Sequence, residues 1–172
     1  MERSGDVGAG NDHLAAYLNS GGDWDTKEVF LAWYLRLSQY LIDANVAEKT
    51  NVSLVPEMIQ RLEKMGVPLK DPKTGEYIRT MAFDQPASLW INFNGIDLKP
   101  LMIKESRKLG AQQFHRVMIC DLLYAGEKVI GAVGFSIRTG DFYVFKAKNT
   151  ILSTGPIQRL WENPTPYMFN TW

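Results

Sequence analysis

The chain has 172 residues, of which 19 are basic, 19 acidic and 45% apolar, so it carries no formal net charge. That is enough for one ordinary domain with a sizeable core, and no field of one sign draws it toward nucleic acid or an anionic membrane. A single cysteine, Cys120, excludes an internal disulfide and any zinc or iron–sulfur centre built from this chain's own cysteines.

No apolar run approaches the roughly 20 residues of a membrane span, and residues 1–6 lack an apolar signal segment. A reducing, cytoplasmic setting is the expectation from the cysteine usage. The two histidines, His13 and His115, are far apart and have no cysteine beside them, so no metal site is expected.

In chain order, residues 5–10 (Gly5-Asp6-Val7-Gly8-Ala9-Gly10) form a glycine-rich loop. Residues 11–19 read as a short helix with Leu14 and Leu18 on one face and Gly21-Gly22 as its stop. His13 then reads as a partly exposed helix residue, and Asn11, Asp12 and Asn19 as cap and turn residues. Asp25 with Glu28 three residues on predicts a capping box. The helix it opens presents Val29, Phe30, Trp33, Tyr34, Leu37 and Leu41 on one face and runs to about Asn45.

Pro56 suits the first turn of a second helix, which shows Ile59, Leu62 and Met65 on one side and ends at Gly66. Residues 67–79 predict a hairpin around Asp71-Pro72-Lys73-Thr74-Gly75, while residues 81–94 hold aromatic side chains with no clean period. A third helix runs from about Leu98 to Leu109 and is stopped by Gly110. Residues 114–123, 129–138 and 141–145 are strand-like. Ile151-Leu152 reads as a buried strand that stops at a turn of tiny residues, Ser153-Thr154-Gly155.

Helices first and strands last predict an α+β chain. It divides into a loop and short helix at 1–24, a helical cap-like region at 25–110 and a β-ribbon with the end of a sheet at 111–172. The aromatic run Trp161, Tyr167, Phe169 and Trp172 predicts a contact with a partner or with further chain, so the sequence reads as the middle of a longer protein.

Three stretches carry a resemblance. Val129-Ile130-Gly131-Ala132-Val133-Gly134, continuing through Arg138-Thr139-Gly140 and Phe142 to Lys148, precedes Ile151-Leu152-Ser153-Thr154-Gly155. Glu2-Arg3-Ser4-Gly5-Asp6-Val7 opens the chain, and Ile91-Asn92-Phe93-Asn94-Gly95 leads to Lys99-Pro100. Together these resemble the flavoprotein subunits of the fumarate reductase, succinate dehydrogenase, aspartate oxidase and adenylylsulfate reductase superfamily, and locally the adenylylsulfate reductase alpha subunit. In that superfamily a segment "R-S-x-x-V-A-x-G" lies along FAD, and a ribbon "V-x-G-A-V-G" precedes "A-T-G-G" beside it.

The resemblance implies an α/β parent in which a helical cap region is followed by the ribbon and by part of an FAD-binding Rossmann-like sheet. It places Arg3, Ser4, Gly5, Gly8, Ala9 and Gly10 along FAD, Trp90 on the flavin ring, the Val117 main chain at the adenine, and Ser153, Thr154 and Gly155 beside the cofactor. Gly5 stands where covalent members have histidine, which implies FAD held without a covalent bond. Pro156, in place of the second glycine of "A-T-G-G", lacks an N–H.

No catalytic residue is assigned, because the family's substrate-binding His and Arg fall beyond Trp172, and the diphosphate cradle G-x-G-x-x-G precedes Arg3. The implied activity of the parent is hydride or two-electron transfer between FAD and a small substrate. Fumarate, succinate, aspartate and adenylylsulfate all stay open. Implied partners are the remaining parts of the parent chain and a ferredoxin-like iron–sulfur subunit, with no nucleic acid and no membrane span. The competing reading is a non-catalytic interaction module that docks through its aromatic C-terminus and its apolar helix.

Overall fold

The computed structural model describes residues 5–81 and 84–155. Arg3, Ser4, Pro156 and the aromatic run from Trp161 to Trp172 lie outside them. The described residues divide into two units, one within residues 7–105 and the other made of residues 106–155 with residues 5 and 6. Its class is mixed α+β, as the order of elements predicted.

The first unit opens on a 3-10 turn at Asp6–Ala9 and continues into strand β1, His13–Ala15, where the sequence predicted a helix. Pairing decides the difference. β1 lies antiparallel to β3, Trp90–Asn92, with His13 opposite Asn92 and Ala15 opposite Trp90. β2, Ile78–Thr80, takes the other edge of β3, so the order is β1-β3-β2. Alternation along β1 sends Leu14 into a core cluster with Ile59, Leu62, Ile91 and Leu98. Its neighbour Ala15 packs against a second cluster of Phe30, Trp33, Val52 and Leu89.

Helix α1, Lys27–Leu37, is capped by Thr26, whose hydroxyl accepts from Val29 N at 3.2 Å. The expected capping box at Asp25 does not form, because Asp25 is 1% exposed and accepts elsewhere. The helix also stops early. Gln39 and Tyr40 are left-handed, φ 53° and 58°, and their N–H groups close back onto Arg36 O and Leu35 O. Phe30 and Trp33 are therefore core, while Leu41 is 85% exposed.

Asp43 caps α2, Ala44–Glu48, through Asn45 N and Val46 N, and a π turn at Lys49–Ser53 leads to α3, Val55–Lys64. Pro56 sits in the first turn of α3, Val55, Ile59 and Leu62 are buried, and Gly66 ends it at φ 93°, as the sequence predicted. The hairpin around residues 71–75 forms too, with Lys70 bridged to Tyr77 and Asp71 N donating to Glu76 O at 2.9 Å. α4, Leu98–Lys108, follows β3, and Gly110 lies just past it at φ 85°.

The second unit is a ribbon of β4, Val117–Ala125, β5, Lys128–Ser136, and β6, Phe142–Lys146, in sequential antiparallel order. A Cβ on Gly131 would lie 1.8 Å from Phe145 O, and one on Gly134 would lie 2.2 Å from Met118 O. The neighbouring strands themselves thus explain two glycines of the family-like motif. On one face Phe114 meets the rings of Tyr143 and Phe145 at 6.2 and 5.0 Å. The other face leaves Phe142 70% and Val144 50% exposed. Residues 151–155 form no strand, with Ile151 88% exposed, which corrects the buried strand expected there. An extended segment is buried by pairing, and none of the described strands takes it.

Candidate functional site

The glycine loop and the segment before α4 cross backbone to backbone. Asn11 N donates to Gly95 O at 3.2 Å, and Phe93 N to Asp12 O at 2.9 Å. The crossing tolerates no side chain at either glycine. A Cβ on Gly95 would stand 2.0 Å from Asn11 O, and one on Gly10, already at φ 107°, would stand 2.8 Å from Ile96 Cα. Around it opens a cleft of about 400 Å³, lined by Gly10, Asn11, Asp12, Phe93, Asn94, Gly95 and Ile96. Its walls combine an apolar ring and an alkyl chain with two amides and one carboxylate. No Lys or Arg lines it among the described residues.

Beside the cleft the β1-β3-β2 sheet presents His13, Trp90, Asn92 and Thr80 on one face. His13 and Trp90 are diagonal neighbours across the pair, and their rings stack at 3.9 Å with 5° between planes. His13 Nδ1 lies 2.5 Å from Asp12 Oδ1. Asn92 Nδ2 donates to Thr80 Oγ1 at 2.9 Å.

Arg79 lies on the opposite side of β2. Its Nε donates to Ser88 O at 2.8 Å, one terminal nitrogen stands 3.7 Å from Asp25 Oδ1, and its guanidinium lies 5.0 Å from the Trp24 ring centre. Burial lowers the Arg79 pKa from the usual arginine value, and the charge of Asp25 opposes that shift. Asp25 also accepts from Leu18 N, Ser20 N and Ser20 Oγ, the last two at 3.0 and 2.5 Å. This knot ties the loop after β1 to the sheet.

Of the cofactor-binding residues expected from the sequence, Gly10 lines the cleft, Gly8 is buried in the 3-10 turn that precedes it, and Ala9 belongs to the same turn. Trp90 lies on the sheet face, and Gly5 is exposed at φ 76°. Val117 begins β4 opposite Ser136, and Arg116 before it is left-handed at φ 61°. Ser153, Thr154 and Gly155 are exposed coil, with Gly155 at φ 86°.

The sequence reading took Asp12 for a cap or turn residue and Asp25 for a helix cap, gave Asn94 no separate role, and did not join Asp25 to Arg79. A strand rather than a helix at 13–15 is what sets His13 beside Trp90. The signal was available in the alternation of His13, Leu14 and Ala15, which is too short to outweigh a helical reading.

No protein-family profile matches the chain, and no curated protein matches it significantly. Among solved structures, 90% of the chain superposes on a chain of the Mycobacterium smegmatis Sdh1 complex in its apo form, with a TM-score of 0.73 and 21% identity. The same complex with UQ1 gives a TM-score of 0.75 at 19% identity, again over 90% of the chain. The chain spans 28% of the length of those chains. The chain thus shares the fold of part of those Sdh1-complex chains.

Proposed function

We infer that the chain is part of an FAD-dependent oxidoreductase flavoprotein subunit of the succinate dehydrogenase and fumarate reductase type. The observation that carries the reading is the fold likeness over 90% of the chain, joined to motifs that occur in the family's order. The cleft suits the flat, neutral ring end of FAD. It offers an apolar wall and hydrogen-bonding side chains at Asn11, Asp12 and Asn94, but no cation for phosphates. The diphosphate then falls to parts of the parent outside this sequence. Gly5, in place of a linking histidine, makes the attachment non-covalent.

When bound, FAD supplies the hydride chemistry, and the chain's own residues bind the ring, orient it and limit water. Gly10 and Gly95 bring two backbones together at its edge, and Trp90 supplies an aromatic surface. Further subunits, including a ferredoxin-like iron–sulfur protein as electron partner, and a small-molecule substrate complete the reading. The local likeness to adenylylsulfate reductase alpha subunits extends it.

The test is isolation of the full-length parent protein. It should be yellow, and acid precipitation should leave all its flavin in solution. A colourless protein that takes up no added FAD removes the reading, and flavin that stays with the precipitate removes the non-covalent part of it.

A further inference from the structure

Asn94 and Gly95, in the wall of the cleft, hold a chemistry of their own. Of the nine asparagines in the chain, only Asn94 is followed by glycine. With no Cβ on the next residue, that residue's amide nitrogen has an open approach to the carboxamide carbon. The fold favours the encounter. Ile96 N donates to Asn94 Oδ1 at 3.3 Å, an Asx turn that folds the carboxamide back over the Gly95 peptide. The Gly95 carbonyl accepts from Asn11 N and Leu98 N, whereas the Gly95 N–H has no acceptor among the described residues. Asn94 is exposed, so water reaches it.

We propose that Asn94–Gly95 is a self-modification site, at which the chain loses ammonia through a succinimide and exchanges a neutral amide in its cleft for a carboxylate. Gly95 N bonds to Asn94 Cγ and gives its proton to the leaving amide. The Cγ–Nδ2 bond breaks and ammonia departs. Water then opens the ring on one of two sides. Attack at Cγ leaves an ordinary aspartyl residue. Attack at the main-chain carbonyl carbon of Asn94 routes the chain through the side chain, as an isoaspartyl residue one methylene longer. Water is the sole co-reactant, and nothing is oxidised or reduced.

Both products act on the cleft. Asp12 already lines it and no Lys or Arg does among the described residues, so a second carboxylate there meets a like charge and no counter-charge. The lengthened main chain disturbs a crossing so close that a Cβ on Gly95 would stand 2.0 Å from Asn11 O. On the flavin reading given above, conversion loosens the cofactor. Bound cofactor, by steadying the crossing, in turn slows conversion.

The test is a peptide map of the full-length protein, flavin-loaded and stripped, aged in mildly alkaline buffer. Asn94 should convert several-fold faster than Asn11 or Asn45, which precede Asp12 and Val46. The isoaspartyl form should be the larger product and should be labelled by an isoaspartyl methyltransferase. Hydroxylamine, which attacks the ring, should cut the chain between Asn94 and Gly95. Asn94→Gln, whose longer side chain closes such a ring far more slowly, should give neither result. Aged protein should retain several-fold less flavin than fresh protein, and the flavin-loaded form should convert several-fold more slowly than the stripped one.

Conversion at Asn94 no faster than at Asn11 and Asn45 overturns the proposal, as does an aspartyl product with no isoaspartyl form and no cut by hydroxylamine. Complete conversion with undiminished flavin overturns its effect on the cleft and leaves the flavin reading standing. A full-length protein that binds no flavin removes that reading, and the peptide map still decides the modification.

Discussion

Asp25 shows what a single buried charge demands. Its side chain is fully removed from solvent, and three donors together with the Arg79 guanidinium answer it. Asp25→Ala leaves Arg79 buried beside an empty place, and in urea denaturation it should lower stability by about 3–5 kcal/mol. Adding Arg79→Leu to that variant should recover most of the loss, because two apolar side chains need no partner. The sequence hid this pair, since its members stand 54 positions apart and nothing local joins them. Glycines were legible as glycines, but their reasons were not. At Gly10, Gly95, Gly131 and Gly134 the space is taken by the protein's own backbone, a fact that only the pairing of distant strands creates.

At the level of elements, α3, α4 and the three ribbon strands follow from local pattern, because Pro56, Gly66, Gly110 and the alternation of β5 act within a few residues. β1 and the end of α1 do not. The first is fixed by its partner β3, and the second by two left-handed residues with no glycine to announce them.

The contact between α3 and the hairpin carries a pH signature. Glu63 accepts from both Lys70 Nζ and the Tyr77 hydroxyl at 3.0 Å, and the lysine lies 4.9 Å from the tyrosine ring centre. The hydrogen bond to Glu63 raises the Lys70 pKa, and burial followed by the same carboxylate raises that of Tyr77. A raised folded-state pKa means the folded chain holds its proton more tightly than the unfolded one. The contribution is therefore complete below the unfolded value and is lost as pH rises through the folded value, above about pH 10. The stability gap between the native protein and Glu63→Gln should be constant near neutrality and close in that alkaline range. A gap that persists there would assign the contact to packing alone.

For the whole molecule, the antiparallel ribbon that follows the helices was readable from the order of periodicities, whereas the three-stranded sheet among those helices was not. Which surfaces stay open was not. The ribbon carries apolar side chains on both faces, and Phe142 and Val144 lie largely in solvent. Replacing both by Thr in the 172-residue chain should change stability by no more than about 0.5 kcal/mol per site and lower its binding of an apolar dye. A loss of several kcal/mol would show instead that the two side chains are packed rather than open.

The carbonyl of Gly95 receives two donors, Asn11 N at 3.2 Å and Leu98 N at 3.0 Å. One oxygen thus fastens the first turn of α4 to the strand of chain that walls the cleft. Because the joint is main chain on every side, a survey that trims side chains one at a time would pass over it. Exchanging the amide of Asn11 or Leu98 for an ester, which deletes that N–H donor and leaves every side chain in place, would expose it.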